Sequence, residues 1–290
     1  MSTELPMKTF THDGTTIAYR DEGSGPTIVF LHNGGTSSTI WREQIATLSS
    51  THRCLAVDLP GFGASPLPDP PATLADMIDL IGAFVTDLEL APVTLVGNCM
   101  GSNIAIQVSR EHPELVTGVL AVNPLTEASF GGGGIGFVHR MKHVAAGPAR
   151  GARSLSRKIG IPKLFGSPTL RFQLGRKGIA KGLQRDPELL ACQFRADQMP
   201  ALVDVLDDMD AYGGLDTTET TDDVPIWVAW GDQNRVLSRK KAAGLEERLH
   251  AQRVEIIDDA GHLAMLEDPE FVTGLVTELI DATTTEKQAS

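Results

Sequence analysis

Short apolar runs alternate with stretches of helical spacing along most of the chain. Thr16–Arg20 predicts a strand, with a turn over Asp21–Pro26. The continuous run Thr27-Ile-Val-Phe-Leu31 predicts a buried strand leading into the loop His32-Asn-Gly-Gly35. A helix is expected over Trp41–Leu48, a strand over Arg53–Val57, and a loop over Asp58-Leu-Pro-Gly-Phe-Gly-Ala-Ser65. Leu74, Ile78, Ile81 and Val85 fall on one face of a helix. Val93–Val96 predicts the next strand, and Ile104, Ala105 and Val108 then take helical spacing up to a strand at Gly118–Val122. The rhythm resumes with strands at Pro225–Trp230 and Val254–Ile257, a helix over Lys240–His250 between them, and a last helix from Pro269. Strand and helix in alternation imply an α/β fold, a mainly parallel sheet of about eight strands with helices on both faces.

The stretch from Ala128 breaks this alternation. It opens on Gly131–Gly134 and is helical where it is regular. We therefore expect a core made of residues 1–127 and 222–290, with residues 128–221 inserted as a helical cap.

Charge sharpens that division. Between Ala128 and Arg185 there are 12 Lys and Arg and no Asp or Glu, although the whole chain carries −12. Asp197–Asp223 carries nine acidic residues and no basic one, so the two stretches have the means to neutralise each other. Arg150, Arg153 and Arg157 fall on one face of a helix if that segment is helical, and Lys177, Lys181 and Arg185, at a four-residue spacing, again fall on one face. Overall negative charge argues against a general nucleic-acid binder. No apolar run has signal-peptide or membrane-spanning length, so the expected address is cytoplasmic and membrane contact is not expected. Three cysteines, Cys54, Cys99 and Cys192, form neither a disulfide scaffold nor a zinc spacing, and no phosphate loop is present, so no metal or other cofactor is implied.

The chemistry concentrates at Gly97-Asn-Cys-Met-Gly101. A nucleophile on a sharp strand-to-helix turn needs small residues on both sides, and Gly97 and Gly101 bracket Cys99 with that spacing. The helix that follows directs its dipole and free N–H groups at the thiol, which favours a thiolate.

With Leu31-His-Asn-Gly-Gly35, Asp58-Leu-Pro-Gly-Phe-Gly63, Ser65, Gly231-Asp-Gln-Asn234 and Gly261-His262 in this order, the sequence resembles the α/β-hydrolase superfamily, nearest to its meta-cleavage-product-hydrolase-like and epoxide-hydrolase-like members. The resemblance covers the chain outside the cap. It implies an α/β-hydrolase fold, Cys99 as nucleophile, His262 as base, and an oxyanion hole from the backbone N–H groups of Gly34 and Met100. Two positions depart from the family pattern. Cys99 replaces the usual serine, and Asn234 replaces the usual aspartate; the second family position for the acid, at the end of the preceding core strand, falls on Asn123.

A thiolate–imidazolium pair formed before substrate arrives needs only a group that holds the ring, and an amide oxygen suffices for that. The expected triad is Cys99–His262–Asn234, with Asp232 and Glu127 as rival orienters. The expected activity is acyl transfer through an acyl-cysteine, as a thioesterase, esterase or acyltransferase on a small-molecule acyl substrate, which coenzyme A or an acyl carrier protein could carry. Two other readings stand beside it. One is a carboxylic-ester, lactone or carbon–carbon bond hydrolase; the other is a ligand binder that has lost catalysis.

Overall fold

The computed structural model describes residues 7–134, 136, 163–193, 195–219 and 223–289. One eight-stranded sheet organises the chain, in the order β1-β2-β4-β3-β5-β6-β7-β8. β1 (Lys8–His12) and β2 (Thr15–Glu22) form an antiparallel edge, and β2 runs antiparallel to β4 (Arg53–Asp58). β3 (Thr27–Leu31), β5 (Val93–Asn98), β6 (Val116–Val122), β7 (Ile226–Gly231) and β8 (Arg253–Ile257) continue in parallel. β1 was not expected from the sequence, because Lys8, Thr9 and Thr11 leave Phe10 as its only buried position.

The central strands face core on both sides, so they read as unbroken apolar runs. In β3, Val29 and Leu31 join one hydrophobic cluster while Ile28 and Phe30 join the other. In β6, Val119 and Ala121 divide from Leu120 and Val122 in the same way.

Helices cover both faces: α1 (Arg42–Leu48), α2 (Leu74–Asp87) and α3 (Met100–Glu111) come first. α2 starts where the sequence provides a capping box, with the Thr73 hydroxyl accepting the Asp76 N–H and the Asp76 carboxylate accepting the Thr73 N–H at 2.8 Å. Among the described residues, the chain between β6 and β7 is helical. It holds α4 (Glu127–Gly131), α5 (Lys163–Gln173), α6 (Arg176–Ala180), α7 (Pro187–Cys192), α8 (Met199–Asp207), α9 (Met209–Tyr212) and α10 (Gly214–Thr217). α11 (Leu245–Arg248), α12 (Ala264–Glu267) and α13 (Pro269–Ala289) complete the fold.

Two sequence expectations need correction. The helix expected over Lys240–His250 is reduced to α11, because Gly244 takes a left-handed conformation at its N-terminus. Lys177, Lys181 and Arg185 do not share one helix face. α6 ends at Ala180, and left-handed Gly182 leads into a separate 3-10 turn at Leu183–Arg185. Arg176 and Lys177 are ion-paired with Asp259 and Asp268. Arg150, Arg153 and Arg157 lie outside the described residues.

Strand order locates the functional region. The chain moves from β3 outward to β4, then returns across β3 to β5. That reversal leaves a crevice at the carboxyl ends of β3 and β5, where open α/β sheets bind their ligands. Asn33 and Gly34 follow β3, and Cys99 follows β5 directly.

Candidate active site

Cys99 occupies the bend between β5 and α3 with φ 54° and ψ −112°, a backbone region that side chains other than glycine rarely adopt. Its flanks have to be glycine. A Cβ on Gly97 would lie 2.3 Å from the Gly101 carbonyl oxygen, and a Cβ on Gly101 would lie 2.3 Å from the Leu31 oxygen. The Gly101 N–H donates to the His32 carbonyl at 3.2 Å, which ties the bend to the loop after β3.

That loop is held by neutral groups and one carboxylate. His32 bonds the Asn33 carbonyl through Nδ1 at 2.7 Å and accepts the Leu59 N–H at Nε2 at 2.9 Å. Burial pushes its basicity down. With both ring nitrogens committed, His32 is structural. Asp58 accepts the N–H groups of Ser38 and Ala64 at 2.7 and 2.8 Å, so it fixes the neighbouring loop.

His262 reaches the centre along a row of strand ends. β8 lies at the sheet edge, yet the loop after it crosses back over β7, β6 and β5. A Cβ on Gly231, at the end of β7, would lie 2.2 Å from the Gly261 oxygen, so glycine permits the crossing. Asn123, just past β6, accepts the Gly231 N–H at 3.0 Å and donates to the His262 carbonyl at 3.3 Å. Asn98, the last residue of β5, donates to that same carbonyl at 3.2 Å and to the Asn33 side chain at 3.3 Å. Two buried amides, Asn98 and Asn123, thus fix the backbone of the histidine, and Asn33 accepts from the first of them. Asn123, where the family pattern has an alternative acid, grips this backbone and not the ring.

Cys99, His262, Gly34 and Met100 line one cavity of about 160 Å3. Its walls are otherwise mostly apolar, with Leu125, Phe130, Phe172, Leu202, Val205 and Met209 among them. The helical stretch between β6 and β7 supplies most of these side chains. A wider cleft of about 830 Å3, lined by Gly132, Asp232, Arg235, Arg239 and Ile256, lies outside this chamber. Asn234 borders the cleft, and Leu237 borders both spaces.

The electrostatics differ from the expectation of a preformed ion pair. Burial pushes the Cys99 thiol up to about 12, against a smaller lowering by the backbone N–H of Met100. Burial alone pushes the His262 imidazole down to about 3. At neutral pH both groups are uncharged, because desolvation outweighs the helix dipole at this depth. Cys99 and His262 face the same cavity without a hydrogen bond between them. Such contacts are often long before substrate binds.

The ring orienter also differs from the expectation. His262 Nδ1 is buried and has no hydrogen-bond partner. The Asn234 carbonyl oxygen instead accepts the N–H groups of Val236 and Leu237 at 2.9 and 3.1 Å, and its Nδ2 is unpartnered. Asp232 is exposed, and the Glu127 carboxylate lies beside Gly213.

Two residues of the site had no signature in the sequence. Glu267 is fully buried and accepts the N–H groups of Gly261, Gly175 and Gly178 at 2.8, 2.6 and 3.2 Å. The Gln173 backbone carbonyl accepts the backbone N–H of His262 at 2.7 Å, and the residue lines the cavity. The position of Glu267, five residues after His262, was the one available hint; Gln173 had none.

Residues 28–275 match the family model described as the alpha/beta hydrolase family. The chain belongs to that family. Similar proteins within and around this family carry varied names. An uncharacterised protein of Mycobacterium tuberculosis is 26% identical over 278 residues, covering 92% of this chain and 78% of its own. A haloalkane dehalogenase of Mesorhizobium japonicum is 37% identical over 106 residues, which is 36% of this chain and 34% of that enzyme. Among solved structures, an esterase from Thermogutta terrifontis superposes with a TM-score of 0.76 at 20% identity, covering 96% of this chain and 97% of its own. The alpha/beta hydrolase architecture is therefore common to the chain and the esterase, with an eight-stranded, mostly parallel sheet here. Among the described residues, no helix is long and apolar enough to cross a membrane.

Proposed function

We propose that this alpha/beta hydrolase is an acyl-transfer enzyme, a thioesterase, esterase or acyltransferase, that works through an acyl-cysteine on Cys99. The observation that carries this reading is the placement of Cys99 at a strained bend, opening onto the same cavity as His262, Gly34 and Met100. A buried thiol with no role in transfer would not need a positive-φ backbone to expose it.

The uncharged resting pair sets the order of events. Attack of Sγ on the substrate carbonyl forms the S–C bond as the thiol proton passes to the His262 imidazole. The carbonyl oxygen becomes an oxyanion facing the backbone N–H groups of Gly34 and Met100. As the tetrahedral adduct collapses, the bond to the leaving thiolate or alkoxide breaks and the imidazolium returns the proton to it. Water, an alcohol or an amine then attacks the acyl-cysteine, gives its proton to His262, and releases the Cys99 thiol. A thiol gives up its proton to the imidazole more readily than a hydroxyl does, so a carboxylate partner is less necessary than it is for a serine nucleophile.

In this reading Asn234 is a positioning residue. It caps the loop that presents Val236 and Leu237 to the cavity. A second reading, a ligand binder without turnover, has one observation in its favour, the unpartnered Nδ1 of His262. Kinetics on matched butyryl thioesters and oxygen esters separate the two. The acyl-transfer reading expects turnover that falls at least ~10³-fold in both Cys99→Ala and His262→Ala. No turnover with the whole panel favours the binder, and equal activity in either variant overturns the roles given to Cys99 and His262.

A further inference from the structure

Gln173 lines the reaction cavity. The residue is only 4% exposed, and its Nε2 has no hydrogen-bond partner. Its backbone carbonyl accepts the His262 N–H at 2.7 Å, so the residue is held beside the reacting centre.

The other polar side chains of the cavity are already committed. Asn33 donates to the Gly34 carbonyl at 3.1 Å and accepts the Thr36 hydroxyl at 2.9 Å. The Thr169 hydroxyl donates to the Phe165 carbonyl at 2.7 Å. Cys99 and His262 are the reacting pair. Gln173 is left as the uncommitted amide in an otherwise apolar chamber. A buried amide donor without a partner is costly to a fold, and such groups are rare unless something satisfies them.

We infer that Gln173 is a specificity-determining residue, whose amide binds a second oxygen on the acyl group. This inference rests on the acyl-transfer reading of the same cavity. The substrate class follows from size and lining together. A cavity of about 160 Å3 is smaller than the ~300–1,000 Å3 of common ligand pockets, which suits a short acyl chain. The apolar walls take its carbon atoms, and the amide takes a hydroxy or oxo substituent. A site built to hydrogen-bond one substrate oxygen rejects the analogue that lacks it, since the amide is then left unpaired.

The test compares 3-hydroxybutyryl and butyryl N-acetylcysteamine thioesters on the wild type and on Gln173→Met, which keeps the chain length and removes the amide. The wild type is expected to favour the hydroxyacyl substrate at least ~10-fold in kcat/KM. In Gln173→Met that ratio falls to near one, with the loss in KM for the hydroxyacyl substrate and the butyryl constants within ~3-fold of wild type. The melting temperature of Gln173→Met is expected to stay level or rise, because a frustrated buried group has been removed. No preference in the wild type overturns the inference. So does an equal loss on both substrates, or a lower melting temperature, which would mark Gln173 as a structural strut. Affinities of 3-hydroxybutyrate and butyrate for both proteins, measured by calorimetry, give the same ratio without turnover. If no thioester is turned over but 3-hydroxybutyrate still binds better through Gln173, the acyl-transfer reading fails and the recognition site stands; equal binding of the two acids overturns the site.

Discussion

Glu267 accepts the backbone N–H of Gly261 at 2.8 Å, one residue before His262, and the N–H of Gly175 at 2.6 Å through its other oxygen. One buried carboxylate therefore joins the histidine loop to the segment that carries Gln173. Removing it in Glu267→Ala strands several buried donors and is expected to cost about 3 kcal/mol or more of stability, measured by urea denaturation.

Its titration adds a second check. Burial raises the Glu267 carboxyl above its ordinary value of 4.5, against the lowering by backbone N–H groups. A group raised in the folded state contributes stability that is present below the unfolded value and is lost as pH rises through the folded value. The stability difference between wild type and Glu267→Gln is therefore expected to shrink as pH rises above 4.5. A difference independent of pH, from denaturation at several pH values, would show that the carboxyl does not titrate there.

The pH–rate profile tests the neutral resting pair. With His262 pushed down to about 3, the base is unprotonated throughout the mild acid range. kcat/KM at pH 5 is expected to stay within ~2-fold of its value at pH 7.5. A histidine base with an ordinary value near 6.5 would lose ~30-fold over that interval. Stability runs the other way. Because the folded value of His262 is depressed, its contribution is present above 6.5 and is lost as pH falls towards 3.

Backbone strain at the bend separates two variants that both lack the nucleophile. Cys99 has φ 54°, so glycine fits this position better than alanine. Cys99→Gly is expected to be more stable than Cys99→Ala by about 1 kcal/mol in thermal or urea unfolding, with neither variant active.

Asn234 and Asp232 separate the support of the loop from the exposed rim. Asn234→Ala removes the acceptor for Val236 and Leu237. It is expected to lower turnover by ~10- to 100-fold, while Asp232→Ala stays within ~3-fold. A larger loss in Asp232→Ala would make the aspartate the working partner of the histidine.

Much of this architecture was legible because the central strands are buried on both faces and stand out as unbroken apolar runs, as in Thr27–Leu31 and Ile226–Trp230. The bend at Cys99 was legible for a local reason, since Gly97 and Gly101 are the residues that steric crowding demands. The charge state of Cys99 was not legible. The sequence reveals a helix N-terminus but not the depth of burial that overrides it. Asn98 and Asn123 were similarly opaque, because their common target, the His262 carbonyl, lies 164 and 139 positions further along the chain.

Intact-mass spectrometry of acid-quenched enzyme tests the nucleophile most directly. After brief mixing with a short-chain acyl thioester, the wild type is expected to gain the mass of one acyl group, mapped by peptide digestion to Cys99 and absent in Cys99→Ala. Turnover without any adduct on Cys99, or an adduct mapped to another residue, would contradict the account.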